Sequence, residues 1–205
     1  MKKFELTNEF ITNMFGTKLF RIRALVEFGD VEAGELGGYV EKESNLGHDD
    51  NAWVYGNARV YGDAQVSGDA RVYGNARVYG NAWVYGNALV CGNALVCGDA
   101  LVCGNARVCS DALVCGNARV CSDEDYAYAH GFGSVNRTTT FFRLKDGGVG
   151  VRCGCFYGTL AQFRDKIRET HGETKKAQEY LMLADLMELR FEEDENEVGN
   201  RKYVE

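Results

Sequence analysis

The residues best suited to bind a small ligand lie in one polar segment near the C-terminal end of the chain. Residues 133–140 read Gly-Ser-Val-Asn-Arg-Thr-Thr-Thr. Glycine backbone, hydroxyls, an amide and a guanidinium in close succession suit a phosphate group or a nucleotide. We therefore predict a ligand-binding site made of Ser134, Asn136, Arg137, Thr138 and Thr139. The alternative is a polar loop that leads into a strand.

A second candidate for chemistry is the short motif Cys153-Gly154-Cys155. Residues two apart on a strand face the same side, so the two thiols could hold a metal together with His130 or His171. The alternative is that two small residues pack against neighbouring helices. A C-x-x-C spacing is absent from the sequence. We predict no metal site, no cofactor and no catalytic residue.

Six of the eight cysteines occupy one position in six consecutive repeats: Cys91, Cys97, Cys103, Cys109, Cys115 and Cys121. Earlier repeats carry tyrosine or serine at the same position. We interpret the six as outward-facing free thiols in a reducing compartment, where they fill a small apolar position. Disulfide ladders and metal binding are the alternatives.

These cysteines belong to a repeat that organises the chain. A six-residue unit, Ala-x-Val-(Tyr/Ser/Cys)-(Gly/Ser)-(Asn/Asp), occurs twelve times without interruption from Ala52 to Asp123. Alanine and valine are two apart and so face the interior, while Gly-Asn or Gly-Asp provides a tight corner. Three corners close a triangle, which makes eighteen residues one coil and stacks residues eighteen apart. The pattern predicts a mainly β protein with about four regular coils.

The repeat resembles that of the hexapeptide-repeat proteins, which implies a left-handed parallel β-helix. The best-known activity of that family is acyl transfer, which uses a histidine on or beside the coils. This chain has three histidines, His48, His130 and His171, and none lies within the twelve regular copies. We therefore predict a protein that is not an enzyme. An acyltransferase-like activity is kept as an alternative.

The flanking segments divide the chain into four predicted parts. Residues 1–35 form an N-terminal β cap, because an open solenoid end needs to be covered. Residues 36–123 form the β-helix, with a degenerate first coil that begins near Leu36. Residues 124–192 form a small α+β domain with a hairpin over 138–155 and helices at 159–171 and 175–191. Residues 193–205 form an acidic tail.

The outward positions of the coils predict an interface. The early copies present tyrosine, arginine and tryptophan, including Trp53, whereas the later copies present leucine beside cysteine. Exposed leucine and cysteine would form an apolar patch. We therefore predict an interface at Leu95, Leu113, Cys97 and Cys115, covered by another subunit or by the C-terminal domain, in a homo-oligomer for which a trimer is favoured.

Composition limits the remaining partners. The 205-residue chain has a formal net charge of −7, which argues against a nucleic-acid partner. No apolar run is long enough to span a membrane, and the first residues do not resemble a signal peptide. We expect a cytoplasmic protein of a bacterial host cell.

The two ends of the chain resemble a group of hexapeptide-repeat proteins encoded by bacteriophages and prophages. The similarity lies in the residues that begin at Leu19, Gly34 and Asn51 and in those that begin at Asn136 and Cys153. It implies a phage accessory protein and brings no catalytic residues with it. We therefore predict a counter-defence or host-modulating protein that sequesters a nucleotide-type signal molecule or a host defence protein. The alternative is a structural scaffold for one protein partner.

Overall fold

The computed structural model describes residues 1–133 and 137–192. The chain folds as an N-terminal hairpin, a parallel β-solenoid, and a C-terminal sheet with two helices. The first hairpin pairs β1 (Phe4–Thr12) with β2 (Lys18–Ala24) in antiparallel fashion. Strand β3 (Leu36–Val40) pairs in antiparallel fashion with β2 on one side and in parallel with the solenoid strand Arg59–Val60 on the other. The predicted N-terminal cap therefore extends a face of the solenoid.

Every copy of the repeat forms one two-residue strand, made of the variable residue and the valine. The twelve strands are β4 (Trp53–Val54), β5 (Arg59–Val60), β6 (Gln65–Val66), β7 (Arg71–Val72), β8 (Arg77–Val78), β9 (Trp83–Val84), β10 (Leu89–Val90), β11 (Leu95–Val96), β12 (Leu101–Val102), β13 (Arg107–Val108), β14 (Leu113–Val114) and β15 (Arg119–Val120). Each pairs in parallel with the strand three positions along, which gives three faces, β3-β5-β8-β11-β14, β4-β7-β10-β13 and β6-β9-β12-β15. The predicted eighteen-residue stacking is confirmed.

The interior is a column of alanine and valine side chains, all of them at most 1% exposed. At the corners, asparagine side chains hydrogen-bond along the solenoid axis. Asn93 Nδ2 donates to Asp111 Oδ1 at 2.9 Å, and Asn81 Nδ2 donates to Asp99 Oδ1 at 2.8 Å. These ladders confirm that corner residues eighteen apart are stacked, and in the twelve regular copies no aspartate lies directly on another aspartate.

The first coil differs from the prediction. Val40 pairs with Val60 and Leu46 with Val66, an offset of twenty residues instead of eighteen. Leu46 is buried, whereas Leu36, near which the degenerate coil is predicted to begin, is 47% exposed. The two extra residues precede the regular copies. The phase of the repeat therefore cannot be extended back through this segment.

Trp53 was predicted to be exposed, and this was wrong. Its side chain is completely buried because the N-terminal cap covers it. Phe4 and Phe28 meet its ring edge-on, with centroid distances of 6.1 and 5.3 Å. His48 lies in the same region, where its ring stacks on Phe4 and its Nδ1 accepts a hydrogen bond from the Lys3 backbone N–H.

The C-terminal unit is larger in β-structure than the predicted hairpin. Its sheet has four antiparallel strands in chain order: β16 (Tyr126–Phe132), β17 (Arg137–Arg143), β18 (Val149–Cys153) and β19 (Phe156–Thr159). Helices α1 (Leu160–His171) and α2 (Lys175–Phe191) follow and confirm the predicted helices. The predicted hairpin corresponds to β17 and β18, and the two outer strands of the sheet, β16 and β19, were not predicted. The acidic tail 193–205 lies outside the described residues.

The C-terminal sheet closes the last coil of the solenoid. Leu144 bridges to Ala118, and the Leu113 backbone N–H donates to Thr140 Oγ1 at 3.0 Å. Phe142 and Tyr126 join the same buried cluster as the solenoid valines. The sheet is therefore a C-terminal cap as well as the floor for the two helices.

The free-thiol prediction was wrong for two of the three cysteine pairs. Disulfide bonds join Cys91 to Cys109 and Cys103 to Cys121. Parallel stacking brings the Cα atoms of these pairs to 4.6 and 4.3 Å, close to the usual range for a disulfide, about 4.4–6.8 Å. Cys97 and Cys115 form the remaining pair, and both thiols are free.

Candidate functional site

The predicted ligand-binding residues are separated by the fold. Ser134 and Asn136 lie outside the described residues. Arg137 is exposed at the start of β17, whereas Thr138 and Thr139 are 8% and 0% exposed. The Thr138 hydroxyl lies 2.9 Å from His130 Nδ1, and the Thr139 hydroxyl donates to Cys153 Sγ at 3.2 Å. Of the three described residues, Arg137 is therefore the one available to a ligand.

Arg137 borders a cleft of about 350 Å³ between the C-terminal sheet and the two helices. This volume lies at the lower end of the range of small-molecule sites, roughly 300–1,000 Å³. The cleft combines cationic, aromatic, hydroxyl and thiol side chains. They are Arg137, Cys153, Cys155, Phe156, Phe163, Lys166, Ile167, Thr170, His171 and Tyr180.

Helix α1 provides one wall of the cleft. Thr159 caps its N-terminus by accepting the Gln162 backbone N–H, while the Gln162 side chain accepts the Thr159 N–H. This capping box determines where the helix begins. Its residues at positions 163, 166, 167, 170 and 171 then lie on one face, at helical spacing. Phe163 anchors that face, meeting Phe141 and Tyr180 edge-on at 5.9 and 5.8 Å.

Two cationic side chains, Arg137 and Lys166, line the cleft of a protein whose net charge is negative. The Arg137 side chain forms neither a hydrogen bond nor an ion pair with any residue in the ranges 1–133 and 137–192. A Cβ atom at Gly154 would lie only 2.0 Å from Arg137 Nη1, so this glycine provides the space that the guanidinium fills. Lys166, on the opposite wall, is paired with Glu169 at 2.8 Å, and both side chains are exposed.

Tyr180 provides a buried hydroxyl at the base of the cleft. It is 6% exposed and donates a hydrogen bond to the Phe132 carbonyl oxygen at 3.3 Å. Burial, together with the neighbouring Cys153 thiol, raises the pKa of Tyr180 to about 12. The phenol is therefore neutral at physiological pH. The His171 ring stacks on Tyr180 with a centroid distance of 5.9 Å.

The two thiols of the C-x-C motif reach the cleft in a different way from that predicted. Strand β18 ends at Cys153, and Gly154 turns the chain at φ +58°. Cys155 consequently lies in the turn instead of on the same face of a strand. His171 lines the cleft with both thiols, whereas His130 is paired with Thr138. Across the described ranges, no three His, Cys, Asp or Glu side chains are grouped closely enough to hold a metal.

The predicted interface residues lie together on one face of the solenoid. Leu95 pairs directly with Leu113 in the register of β11 and β14. Both leucines and Cys97 are partly buried within a single chain, and Cys115 is 7% exposed beneath the C-terminal sheet. That sheet therefore covers one end of this face.

Comparison with known proteins agrees with the repeat architecture. Residues 52–68, 64–80 and 70–86 match the family model of the YdcK beta solenoid repeat. No curated protein matches the chain. In the described part of the chain, no helix combines the length and hydrophobicity that a membrane crossing needs. These results support a repeat β-solenoid protein.

The sequence prediction missed most of the cleft. Five of its lining residues come from α1 and one from α2, both far along the chain from the polar segment. The available signal was the spacing of α1, which places Phe163, Ile167 and Thr170 on one helical face with Lys166 beside them. An amphipathic helix with this pattern is usually interpreted as packing alone, so the pattern did not identify a site.

Proposed function

We propose that the protein is a non-enzymatic binding protein whose C-terminal cleft takes a small anionic ligand of the nucleotide class. The observation that carries the proposal is the position of Arg137, exposed at the mouth of a cleft lined with aromatic side chains. A guanidinium can donate two parallel hydrogen bonds to one phosphate. Phe156, partly exposed in the same cleft, offers an aromatic surface for a base.

The neighbouring groups favour the same class of ligand. Lys166 supplies a second cation, and the Thr170 hydroxyl supplies a hydrogen-bonding group on the same wall. Tyr180 and His171 define the inner end of the cleft. These residues explain binding through charge, stacking and hydrogen bonds. A sequestering protein needs only these interactions and no bond-breaking step.

The proposed biological role is counter-defence or host modulation in the bacterial cytoplasm, by a protein of phage origin. It rests on the similarity of the two ends of the chain to phage-encoded hexapeptide-repeat proteins. In this role the cleft would bind a nucleotide-type signal molecule of the host and so remove it from the host's defence. Expression in a bacterial host with a nucleotide-signalling defence should then restore phage plaque formation, and Arg137→Ala should abolish the restoration.

Calorimetry tests the cleft directly. The full chain is titrated with cyclic mononucleotides, ADP-ribose and inorganic phosphate. We expect saturable binding by a nucleotide and a loss of roughly 10- to 100-fold in affinity for Arg137→Ala, since a charged hydrogen-bonding group contributes about 1.5–3 kcal/mol. Arg168→Ala is the matched control, because Arg168 lies on α1 but outside the cleft, paired with Asp165.

Two results would reject the proposal. One is the absence of binding by every compound tested, together with no nucleotide in material released from heat-denatured protein. The other is equal affinity in Arg137→Ala and Arg168→Ala. An activity dependent on coenzyme A and lost in His171→Ala would instead favour the acyltransferase-like alternative.

A scaffold function is the second candidate, favoured by an apolar stripe on α2. Met182, Leu186 and Leu189 are 71%, 54% and 68% exposed, and their spacing places them on one helical face. We propose that this stripe contacts the same stripe of a second copy. In antiparallel packing about a two-fold axis, the stripe of each copy would cover that of the other.

Sedimentation tests the scaffold proposal. Leu186→Glu should shift an oligomer toward the monomer, because it introduces a charge into an apolar contact. Lys176→Glu is a control on the same helix, because Lys176 is exposed and is not a neighbour of any stripe residue. An unchanged oligomer in Leu186→Glu, or a monomeric wild-type protein, would reject a contact through α2. The proposed two-fold contact gives a dimer, so the predicted trimer would require a further contact surface.

A further inference from the structure

The six repeat cysteines form three pairs with identical stacking but different chemical states. Each pair follows two valines that are register partners: Val90 with Val108, Val96 with Val114, and Val102 with Val120. One pair lies on each face of the solenoid. Cys91–Cys109 and Cys103–Cys121 are disulfides, whereas Cys97 and Cys115 are free thiols. The backbone therefore places the third pair as it places the two that are bonded.

The surroundings of the third pair are different because the C-terminal sheet packs beside it. The Leu113 backbone N–H, two residues before Cys115, donates to Thr140 on β17. Tyr157 of β19 packs against Gly116 and donates a hydrogen bond to Asn117. Cys115 is consequently buried, while Cys97 one coil away is still partly exposed. One thiol is accessible and its neighbour is protected.

We propose that Cys97 and Cys115 form a redox-active dithiol that exchanges with low-molecular-weight disulfides such as glutathione disulfide. The Cys97 thiolate attacks one sulfur of the disulfide, the S–S bond breaks, and the released thiolate takes up a proton. Cys115 then loses its proton and its sulfur attacks Cys97, which expels the second thiolate. The protein gains one disulfide bond, and the small disulfide is reduced to two thiols.

The order of the two cysteines follows from their environments. Cys97 is approached by the Cys115 thiol, the Tyr79 hydroxyl and the Arg152 guanidinium. The hydrogen bond with Cys115, and then that with Tyr79, lowers the pKa of the Cys97 thiol to about 7 despite its burial. The same hydrogen bond with Cys97, together with burial, raises the pKa of Cys115. Cys97 is the nucleophile and Cys115 the resolving thiol.

The site is independent of the ligand cleft. Cys97 and Cys115 directly follow strands β11 and β14 of the solenoid, and neither is among the residues that line the cleft. The exposed thiol Cys155 does line it. Loss of nucleotide binding would therefore leave the redox proposal unaffected, and the reverse also holds.

The experiment uses the full chain without prior reduction, so that the two existing disulfides are retained. The protein is incubated with mixtures of reduced and oxidised glutathione, quenched with acid, alkylated and mapped by mass spectrometry. Cys97 and Cys115 should lose their alkylation together, in one two-electron transition. Cys115→Ser should hold glutathione as a mixed disulfide on Cys97, whereas Cys97→Ser should slow oxidation of Cys115 roughly tenfold or more. Cys155→Ser is the control, and its Cys97 and Cys115 should be oxidised as they are in the wild-type chain.

Alkylation of the wild-type chain provides a second measurement that needs no variant. The rate at Cys97 should rise with pH around a midpoint near 7, well before the ordinary thiol midpoint of about 8.5. The proposal is overturned if both thiols are still alkylated in fully oxidised glutathione. It is also overturned if glutathione is found on Cys155 but not on Cys97 in Cys115→Ser.

Discussion

Two corner glycines of the solenoid allow the contact between coils to be measured by one type of substitution. Gly56 and Gly68 both have positive φ, +58° and +71°. A Cβ atom at Gly56 would have open space, whereas at Gly68 it would lie 2.8 Å from the Gly86 backbone nitrogen. Alanine at Gly56 should therefore cost only the left-handed backbone conformation, about 1–2 kcal/mol. Alanine at Gly68 should cost this plus about 1–3 kcal/mol for overpacking.

Equilibrium unfolding in guanidinium chloride, followed by circular dichroism, measures the difference between the two variants. The expected free energy of unfolding of Gly68→Ala is lower than that of Gly56→Ala by at least about 1 kcal/mol. Because the rigid element at Gly68 is backbone, a neighbouring rotamer change cannot relieve the contact. Equal losses in the two variants would refute the argument that corner glycines are needed for close stacking of coils. Equal losses would mean that glycine is required at these corners only for the positive φ of the turn.

Two further predictions concern charge. Lys3 is 3% exposed and donates to the Asp50 and Ala52 carbonyl oxygens at 2.8 and 2.9 Å. Lys3→Met should therefore lower the free energy of unfolding by about 2–3 kcal/mol. Lys2→Met, at an exposed position, is the control, and an unchanged free energy in Lys3→Met would contradict the prediction. Burial raises the pKa of several tyrosines above the unfolded value of 10.0, so the folded chain holds more protons on them than the unfolded chain does. The free energy of unfolding, followed as Tm, should therefore fall as pH rises through 10–12, and a constant Tm would contradict this. The tyrosines are Tyr55, Tyr61, Tyr79, Tyr126 and Tyr180.

The solenoid could be predicted from the sequence because its interactions repeat with the chain. The spacing of Ala52 and Val54 recurs twelve times, and each copy makes the same contacts with the copies eighteen residues away. The stacking, the buried column and the asparagine ladders all followed from one unit. The left-handed winding stays a prediction. The same stacking brings the cysteines into pairs, but the prediction of free thiols rested on an assumed reducing compartment and not on this geometry.

The ends could not be predicted in the same way because their contacts join residues far apart in sequence. Trp53 has the same sequence environment as Trp83, yet one is buried and the other is 50% exposed. The difference is the N-terminal hairpin, whose position the repeat does not encode. The cleft likewise needs α1 and β17 to meet. A local motif in one of them could identify Arg137 but not the residues opposite.

Strand β17 shows why the threonine-rich segment was assigned too broadly to a ligand. Alternate residues of a strand face opposite sides, and both sides of this one are covered. Phe142 joins the solenoid core and Phe141 the helix core, and Thr140 bonds to the last coil. Arg137 shares the side of Phe141, at the end where the helices leave an opening. The strand therefore caps the solenoid along one face and supports the cleft along the other. A substitution at Arg137 can test ligand binding without disturbing the cap.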